Sequence, residues 1–369
     1  MHLKHLSAIN FKSFRQVELE LNPKINCFIG NNGQGKTNLL DAIYYLSMCK
    51  SAFNSSDRQV LRHGEQFFVI EGSYQRVSSN EDIYCGFKLD EGKIFRRNGK
   101  TYDRLADHIG FIPIVMVSPT DSALIDESGE ERRKYMNGVI SQYDRVYLDE
   151  VMRYNRLQAQ RNSILKNHPH VSFSYDLLEA IDDQLVRYAQ TIHAKRSSFV
   201  EQLIPIFMDY YNRVSGGEER VSIAYRSHLN DGDFKTMLRN NIQRDRTLQF
   251  TSIGIHRDDM VLSIDGYPIR REGSQGQQKT FLIALKLAQF EFLSRVSGIK
   301  PLLLLDDIFD KLDMDRVGFL INQVAHDGFG QIFITDTSKN RLDMILNRLN
   351  SGFRLFSIEN SEVSIIAST

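Results

Sequence analysis

The chain lacks the bulk properties that would tie it to a membrane, an oxidising compartment or a polyanion. Only three cysteines occur in 369 residues, Cys27, Cys49 and Cys85. They are too scattered for a zinc pattern and leave one over from disulfide pairing, which suits a reducing compartment. No run approaches the roughly 18 apolar residues of a membrane span, and the opening MHLKHLSAINFKSF has no continuous apolar centre of the signal-peptide kind. A cytoplasmic protein without membrane contact is expected. Net charge is missing as well, because 46 basic and 46 acidic residues cancel. A nucleic-acid partner would have to be met by a local arrangement of charge. Repeats and low-complexity runs are also absent. What is present, 41% hydrophobic and 25% charged residues, is the composition of a folded chain with one large domain or two ordinary ones.

The N-terminal segment reads as strands: INF, then VELEL in strict alternation, then INCFIG. From Lys36 the apolar spacing becomes helical, with Leu39, Leu40, Ile43 and Leu46 on one face. Residues 67–102 carry three further strand patterns with EG and NG turn signals, which predicts an antiparallel meander. Between about Glu131 and Ser215 glycine thins to Gly138 alone, and two long helical patterns flank NHPHVSFS at Asn167 to Ser174. This predicts an inserted helical hairpin with arms of about 35 residues, on the order of 50 Å each. Strand-like sequence resumes in VSIAY and LQFTSIGIH, and a long helix, QQKTFLIALKLAQFEFLSRV, leads to LLLLDD.

GNNGQGKT, comprising Gly30, Asn31, Asn32, Gly33, Gln34, Gly35, Lys36 and Thr37, stands between a strand and a helix. Backbone N–H groups can wrap a triphosphate only where the chain turns without Cβ obstruction, and the helix N-terminus adds partial positive charge. In such a loop Lys36 would bridge the β and γ phosphates and the Thr37 hydroxyl would hold Mg²⁺. LLLLDD supplies the all-apolar strand of a parallel sheet buried on both faces. Ligands bind beyond the carboxyl ends of such strands, which places Asp306 to hold Mg²⁺ through water and Asp307 to orient or deprotonate the attacking water.

About 270 residues separate these two motifs, more than a simple phosphate-loop enzyme requires. The addition is SQGQQ, Ser274 to Gln278, opening a long helix with Ser274 as its cap. With one phosphate loop per chain, this helix end is expected to meet the γ-phosphate on a second copy. The order then runs phosphate loop, insertion, SQGQQ, LLLLDD, DKLD at Asp310 to Asp313, and QIFIT before Asp336. That order resembles the ABC-type ATPase head. More closely, INFKSF, GNNGQGKT, Arg132-Arg133, GIHRDD at Gly254 to Asp259, SQGQQK and LLLLDDIFDKLD resemble the RecF family of DNA replication and repair ATPases.

The resemblance implies an α/β fold: an ABC-type head formed by residues 1–128 and 216–369, with mixed sheets, and an inserted helical arm at 129–215. It puts the nucleotide contacts on Gly30 to Thr37 and, from the other copy, on Ser274, Gly276 and Gln277. Metal binding falls on Thr37 and Asp306, and catalysis on Lys36 and Asp307. It further implies a weak, DNA-stimulated ATPase whose ATP-bridged homodimer clamps double-stranded DNA at gaps or junctions and works with a RecR-like mediator to load recombinase. Asp307, one methylene shorter than the glutamate of many ABC proteins, reaches less far toward the water, which predicts slow turnover. Local departures are Ile255 where proline is usual, Gly273 before the signature serine, Asp310 and Lys311 in the D-loop, and Pro119-Thr120-Asp121 where PED is usual. Asp336 stands where transport ATPases place a histidine.

For DNA contact the candidates are Arg132, Arg133 and Lys134, then Arg153, Arg156, Arg161 and Lys166 along the first arm, with FRRNGK and IRRE as further clusters. Each reads equally as a solvated face. Arg132 and Arg133 also fit a structural role at the base of the arm, and His256 reads either as lining the nucleotide site or as an internal hydrogen-bonded histidine. The competing functions are an SMC-like head, whose coiled coils are far longer, and a transporter ATPase, which would carry an LSGGQ-like signature and a switch histidine. Two more are a nuclease-bearing relative, which would need a separate acidic domain, and a non-hydrolysing binding module in which Asp307 is idle.

Overall fold

The computed structural model describes residues 1–76, 78–166, 175–217, 219–308, 328–346 and 352–368. It divides into two compact units, Met1–Asp121 with Ile283–Thr369, and Ser122–Leu282.

The chain opens with the hairpin β1 (His2–Phe11) and β2 (Phe14–Glu20), turning at Lys12 with φ of 49°. Alternation in β2 buries Phe14, Val17 and Leu19 and leaves polar residues outside. β3 (Ile25–Ile29) is buried from Ile25 to Phe28 and runs into the glycine loop. In α1 (Lys36–Met48), Leu39, Leu40, Ile43 and Leu46 are all fully buried, as their spacing requires. The expected meander follows as β4 (Phe67–Gln75), β5 (Asn80–Lys88), β6 (Gly92–Arg97) and β7 (Lys100–Thr101). Asn98 and Gly99, both with positive φ (50° and 77°), make the tight last turn. These strands form an antiparallel sheet in the order β2-β1-β4-β5-β6-β7. β8 (Ile114–Val117), wholly buried, completes this part of the first unit.

The second unit holds α2 (Ala123–Asp126), α3 (Gly129–Ile140), α4 (Arg145–Leu165) and α5 (Tyr175–Ser215). The two arms are therefore unequal. The first is broken after Ile140, where the Asp144 carboxylate accepts from the Tyr147 N–H at 2.9 Å and starts a new helix of 21 residues, whereas α5 runs for 41. NHPHVSFS lies outside the described residues. Beyond the arms come β9 (Val221–Arg226), α6 (Phe234–Leu248), β10 (Asp259–Ile264), β11 (Tyr267–Pro268), α7 (Ile269–Glu272) and α8 (Gln275–Ser297). Both β9 and α6 pack against α5, so the second unit extends past residue 215.

LQFTSIGIH is not a strand. Its leucine ends α6, Gln249 turns with φ of 60°, and the rest is held by polar anchors: Thr251 N–H to Asn162 (2.8 Å) and Ser252 N–H to Asp245 (2.9 Å). Backbone pairing is thereby replaced by side-chain acceptors. The strand that pairs with β9 is β10, antiparallel, with β11 on its other edge.

The division between the units falls within α8. The chain then forms β12 (Leu302–Leu305), β13 (Ile332–Asp336), α9 (Lys339–Leu346), β14 (Phe353–Glu359) and β15 (Glu362–Ser368). The sheet order is β15-β14-β3-β13-β12-β8, parallel throughout except for β15. Every residue of β12 and β13 is buried, which accounts for an unbroken LLLL. In register, Ile29 of β3 stands beside Asp336 of β13, and Ile334 beside Leu305 of β12. Residues that follow these strands therefore emerge at one edge. Among the described residues no helix is long and apolar enough to cross a membrane.

Candidate functional site

At that edge β3 gives way to the glycine loop. Gly30 donates its N–H to the Asp336 carbonyl at 3.4 Å, and a Cβ on Gly30 would lie 2.4 Å from the Ile358 carbonyl oxygen of β14. Gly35 has φ of 111° and adjoins the first residue of α1, where a Cβ would lie 2.9 Å from the Phe14 ring. The loop is thus pressed between sheet and helix, leaving Asn31, Asn32 and Gly33 exposed. Gln34 accepts the Asn360 N–H from the β14–β15 turn, fixing the loop from outside. Gly30→Ala is expected to lower stability by about 1–3 kcal/mol, because its neighbour is backbone and cannot rotate aside. Denaturant unfolding together with nucleotide titration checks this; unchanged stability and affinity would refute the tight fit.

Lys36 is only 4% exposed. Its ammonium donates to the carbonyls of Gly30 (2.9 Å) and Asn31 (3.3 Å) and lies 3.6 Å from the Asp307 carboxylate. The Thr37 hydroxyl reaches both oxygens of Asp306, at 2.9 and 3.0 Å. Two residues 269 positions apart in sequence are therefore in direct contact. Burial pushes the Asp306 carboxyl above its ordinary range, against the hydrogen bonds from Thr335 and Thr37.

Asp307 has φ of 45°, uncommon for a residue with a side chain. Its N–H donates to the Thr335 hydroxyl (2.8 Å), which itself donates to Asp306 (2.9 Å). Thr335 thus locks the two acids together. Nothing in the motifs singles it out, although a threonine in the apolar run QIFIT is the available signal. Among the described residues, Asp307 Oδ1 and Asp336 Oδ2 are buried polar oxygens with no hydrogen-bond partner, and Arg341 stands 3.7 Å from the latter. Asp336 accepts from the Ser338 N–H at 2.7 Å, and burial raises its carboxyl. Asp121, in the departed PED segment, pairs with Lys286 of α8 at 2.6 Å. The D-loop residues Asp310 to Asp313 lie outside the described residues.

The signature lies in the second unit and is a capping box. Ser274 Oγ accepts from the Gln277 N–H (3.3 Å) and Gln277 Oε1 accepts from the Ser274 N–H (2.7 Å). Ser274 is exposed at its hydrogen-bonded N-cap, and Gly276 follows within the first turn of α8.

The candidate DNA residues do not share one environment. Arg132 forks onto Asp259 (2.6 and 3.1 Å) and also donates to the Leu124 carbonyl, while Arg133 donates to the Asp258 carbonyl at 2.7 Å. Lys134 pairs with Glu130 and Glu131 on the surface. Arg153 and Arg156 are exposed, the former 3.3 Å from the Tyr188 hydroxyl. Arg161, read from the sequence as part of the scattered base, is fully buried between Asp182 and Asp245. In the FRRNGK cluster Arg97 is taken by Glu81, whose carboxyl it holds down at about 2.

GIHRDD is explained by contacts within the second unit. Asp258 receives Arg196 (2.7 Å) and the Tyr225 hydroxyl, and Asp259 receives Arg132. His256 donates from Nε2 to the Thr251 carbonyl and accepts the Tyr154 hydroxyl at Nδ1, both at 2.9 Å. Burial pushes its pKa down to about 4, so it is neutral at pH ~7.

Residues 1–210 match the family described as AAA ATPase domain. The DNA replication and repair protein RecF of Phocaeicola vulgatus is 48% identical over 366 residues, covering 99% of this chain and 98% of that protein. The protein of the same name from Flavobacterium johnsoniae is 47% identical over 362 residues, covering 97% and 100%. The solved structure of the recombination mediator protein RecF with ATP, in the RecFOR pathway, matches with a TM-score of 0.89 at 31% identity and covers 99% of this chain and 98% of that one. The Smc head domain of Pyrococcus furiosus, bound to the C-terminal domain of ScpA, shares the fold at a TM-score of 0.57 and 15% identity, covering 100% and 96%. The architecture is accordingly the ABC-type head that the motif order implied. The chain belongs to the RecF family of DNA replication and repair proteins.

Proposed function

We propose that the chain is an ATP-dependent DNA-binding protein of recombinational repair and replication-fork maintenance. Its ATP-bridged dimer closes on double-stranded DNA at gaps or junctions and reopens on slow hydrolysis. The observation that carries this reading is the Thr37–Asp306 contact beside the Lys36–Asp307 pair. It assembles phosphate-binding, metal-binding and water-orienting groups at the carboxyl edge of one parallel sheet.

The loop from Gly30 to Gly35 wraps the phosphates, and Lys36 moves from the loop carbonyls to the β and γ oxygens. A hydroxyl and a carboxylate in contact are the hard oxygen donors that Mg²⁺ takes, so Thr37 and, through water, Asp306 would hold it. When bound, Mg²⁺ neutralises charge developing on the transferred phosphoryl group. Asp307 orients the attacking water. The exposed cap Ser274, with Gly276 and Gln277, meets the γ-phosphate held by a second copy, which makes each nucleotide a bridge between subunits.

The relatives' names support a role in DNA replication and repair. The ATP-bound relative, a recombination mediator protein of the RecFOR pathway, supports ATP as ligand and a RecR-like mediator as partner. Arg153 and Arg156, exposed along α4, are the strongest of the proposed DNA contacts. Sedimentation velocity with and without ATP and Mg²⁺, on wild type and Ser274→Arg and with a gapped duplex, tests the reading. ATP-dependent dimers that retain the duplex and are lost in the variant are expected. Dimers indifferent to nucleotide would overturn it.

A further inference from the structure

The signature is tied to the C-terminal end of the long arm helix through one carboxylate. The Gln277 side-chain amide is fixed at both ends: Oε1 accepts from the Ser274 N–H at 2.7 Å and Nε2 donates to Glu219 Oε1 at 2.8 Å. The amide can stand in only one orientation, since Ser274 N–H is a donor and the carboxylate an acceptor. The other oxygen of Glu219 accepts the hydroxyl of Tyr211, which sits on the last turns of α5. Apolar packing runs alongside, with the Phe281 ring of α8 centred 4.6 Å from Phe207 and 6.1 Å from Tyr211. The rings hold α5 and α8 together without fixing which way the Gln277 amide faces. The polar chain Tyr211–Glu219–Gln277–Ser274 does that.

We propose that Glu219 is a positioning residue for the signature. By holding Gln277 it sets the capping box that presents Ser274 to the nucleotide of the second copy, and through Tyr211 it makes that presentation depend on where the end of α5 stands. DNA seated along the arm would thus reach the dimer interface through three successive hydrogen-bonded links. This rests on the ATP-bridged dimer proposed above. The carboxylate accepts from both neighbours at once with its charge, whereas a glutamine at 219 would meet one of them with its N–H₂, would oblige the Tyr211 hydroxyl to turn and accept, and would lose the charge assistance on both bonds.

The test compares wild type, Glu219→Gln and Tyr211→Phe, each with Mg²⁺. Sedimentation velocity gives the ATP concentration for half-maximal dimerisation, and equilibrium titration at protein concentrations too low for dimers gives ATP affinity of the monomer. Both variants are expected to need about tenfold more ATP to dimerise, the scale of one hydrogen bond to a charged group. Monomer affinity and melting temperature without nucleotide should stay at wild-type values. Variants that dimerise like wild type would overturn the role of Glu219 and leave the dimer standing. A fall in dimerisation that merely follows a fall in melting temperature would reduce Glu219 to a structural contact, also overturning the proposal. Wild type that fails to dimerise with ATP would remove the underlying reading as well.

Discussion

Arg161→Ala is expected to destabilise the second unit by about 3–5 kcal/mol, the range for removing one partner from a buried ion pair. The Arg161 side chain is fully buried, and its guanidinium serves Asp182 of α5 (2.6 Å), Asp245 of α6 and the Thr251 hydroxyl (3.1 Å). Truncation would leave two carboxylates in the interior with no cation. Burial already pushes the Asp182 carboxyl upward, and its hydrogen bond to Arg161 is what opposes that. In the variant the folded state therefore binds protons that the unfolded state releases, so its stability rises as pH falls. The gap from wild type should be smaller near pH ~5 than near pH ~8. With no tryptophan in the chain, urea unfolding followed by far-ultraviolet circular dichroism is the suitable readout. A loss below about 1 kcal/mol at pH ~8 would mean that water reaches the carboxylates.

The same residue shows what sequence reading yields and where it stops. Tyr147, Val151, Tyr154, Arg161 and Leu165 are the buried positions of α4, and their spacing of three, four and seven is one stripe of a helix. Arg161 stands on that stripe, so its burial was legible from position even though residue type argued for solvent. Its partners were not legible, because Asp182 and Asp245 come from two other helices. GIHRDD and the arginine pair at 132–133 form a second such case. Each was visible as a motif, but that Asp259 is the acceptor for Arg132 and Asp258 for Arg196 is a fact of tertiary packing. By contrast the geometry of the proposed nucleotide site was largely present in the sequence. Glycines at positions where a Cβ would collide, and an apolar strand ending in two acids, are local demands of backbone geometry and burial, and local demands leave local signatures. Thr335 escaped because its role lies entirely in what it bridges.

Asp307→Asn should separate hydrolysis from closure. Asparagine matches aspartate in shape and tolerates positive φ, so the substitution keeps the backbone turn at 45° while removing the charge and exchanging one acceptor oxygen for an N–H₂ donor. What is lost is the carboxylate 3.6 Å from Lys36, one of whose oxygens is buried without a hydrogen-bond partner among the described residues, the situation expected of a group that orients a water for attack. Turnover should fall by about 10²–10⁴-fold, the usual contribution of a positioned acid or base. ATP affinity should hold or tighten, since Lys36 would no longer be shared with a neighbouring anion. If hydrolysis is what reopens the dimer, the variant should accumulate as an ATP-bound dimer on gapped duplex and release it more slowly than wild type. Steady-state phosphate release and DNA dissociation after dilution measure the two effects on one preparation. Slow hydrolysis with unchanged DNA release would separate the chemistry from the clamp. Hydrolysis within about twofold of wild type would remove Asp307 from the chemistry and leave the water to be oriented by another group at the same edge, with Asp336 the nearest candidate by sheet register.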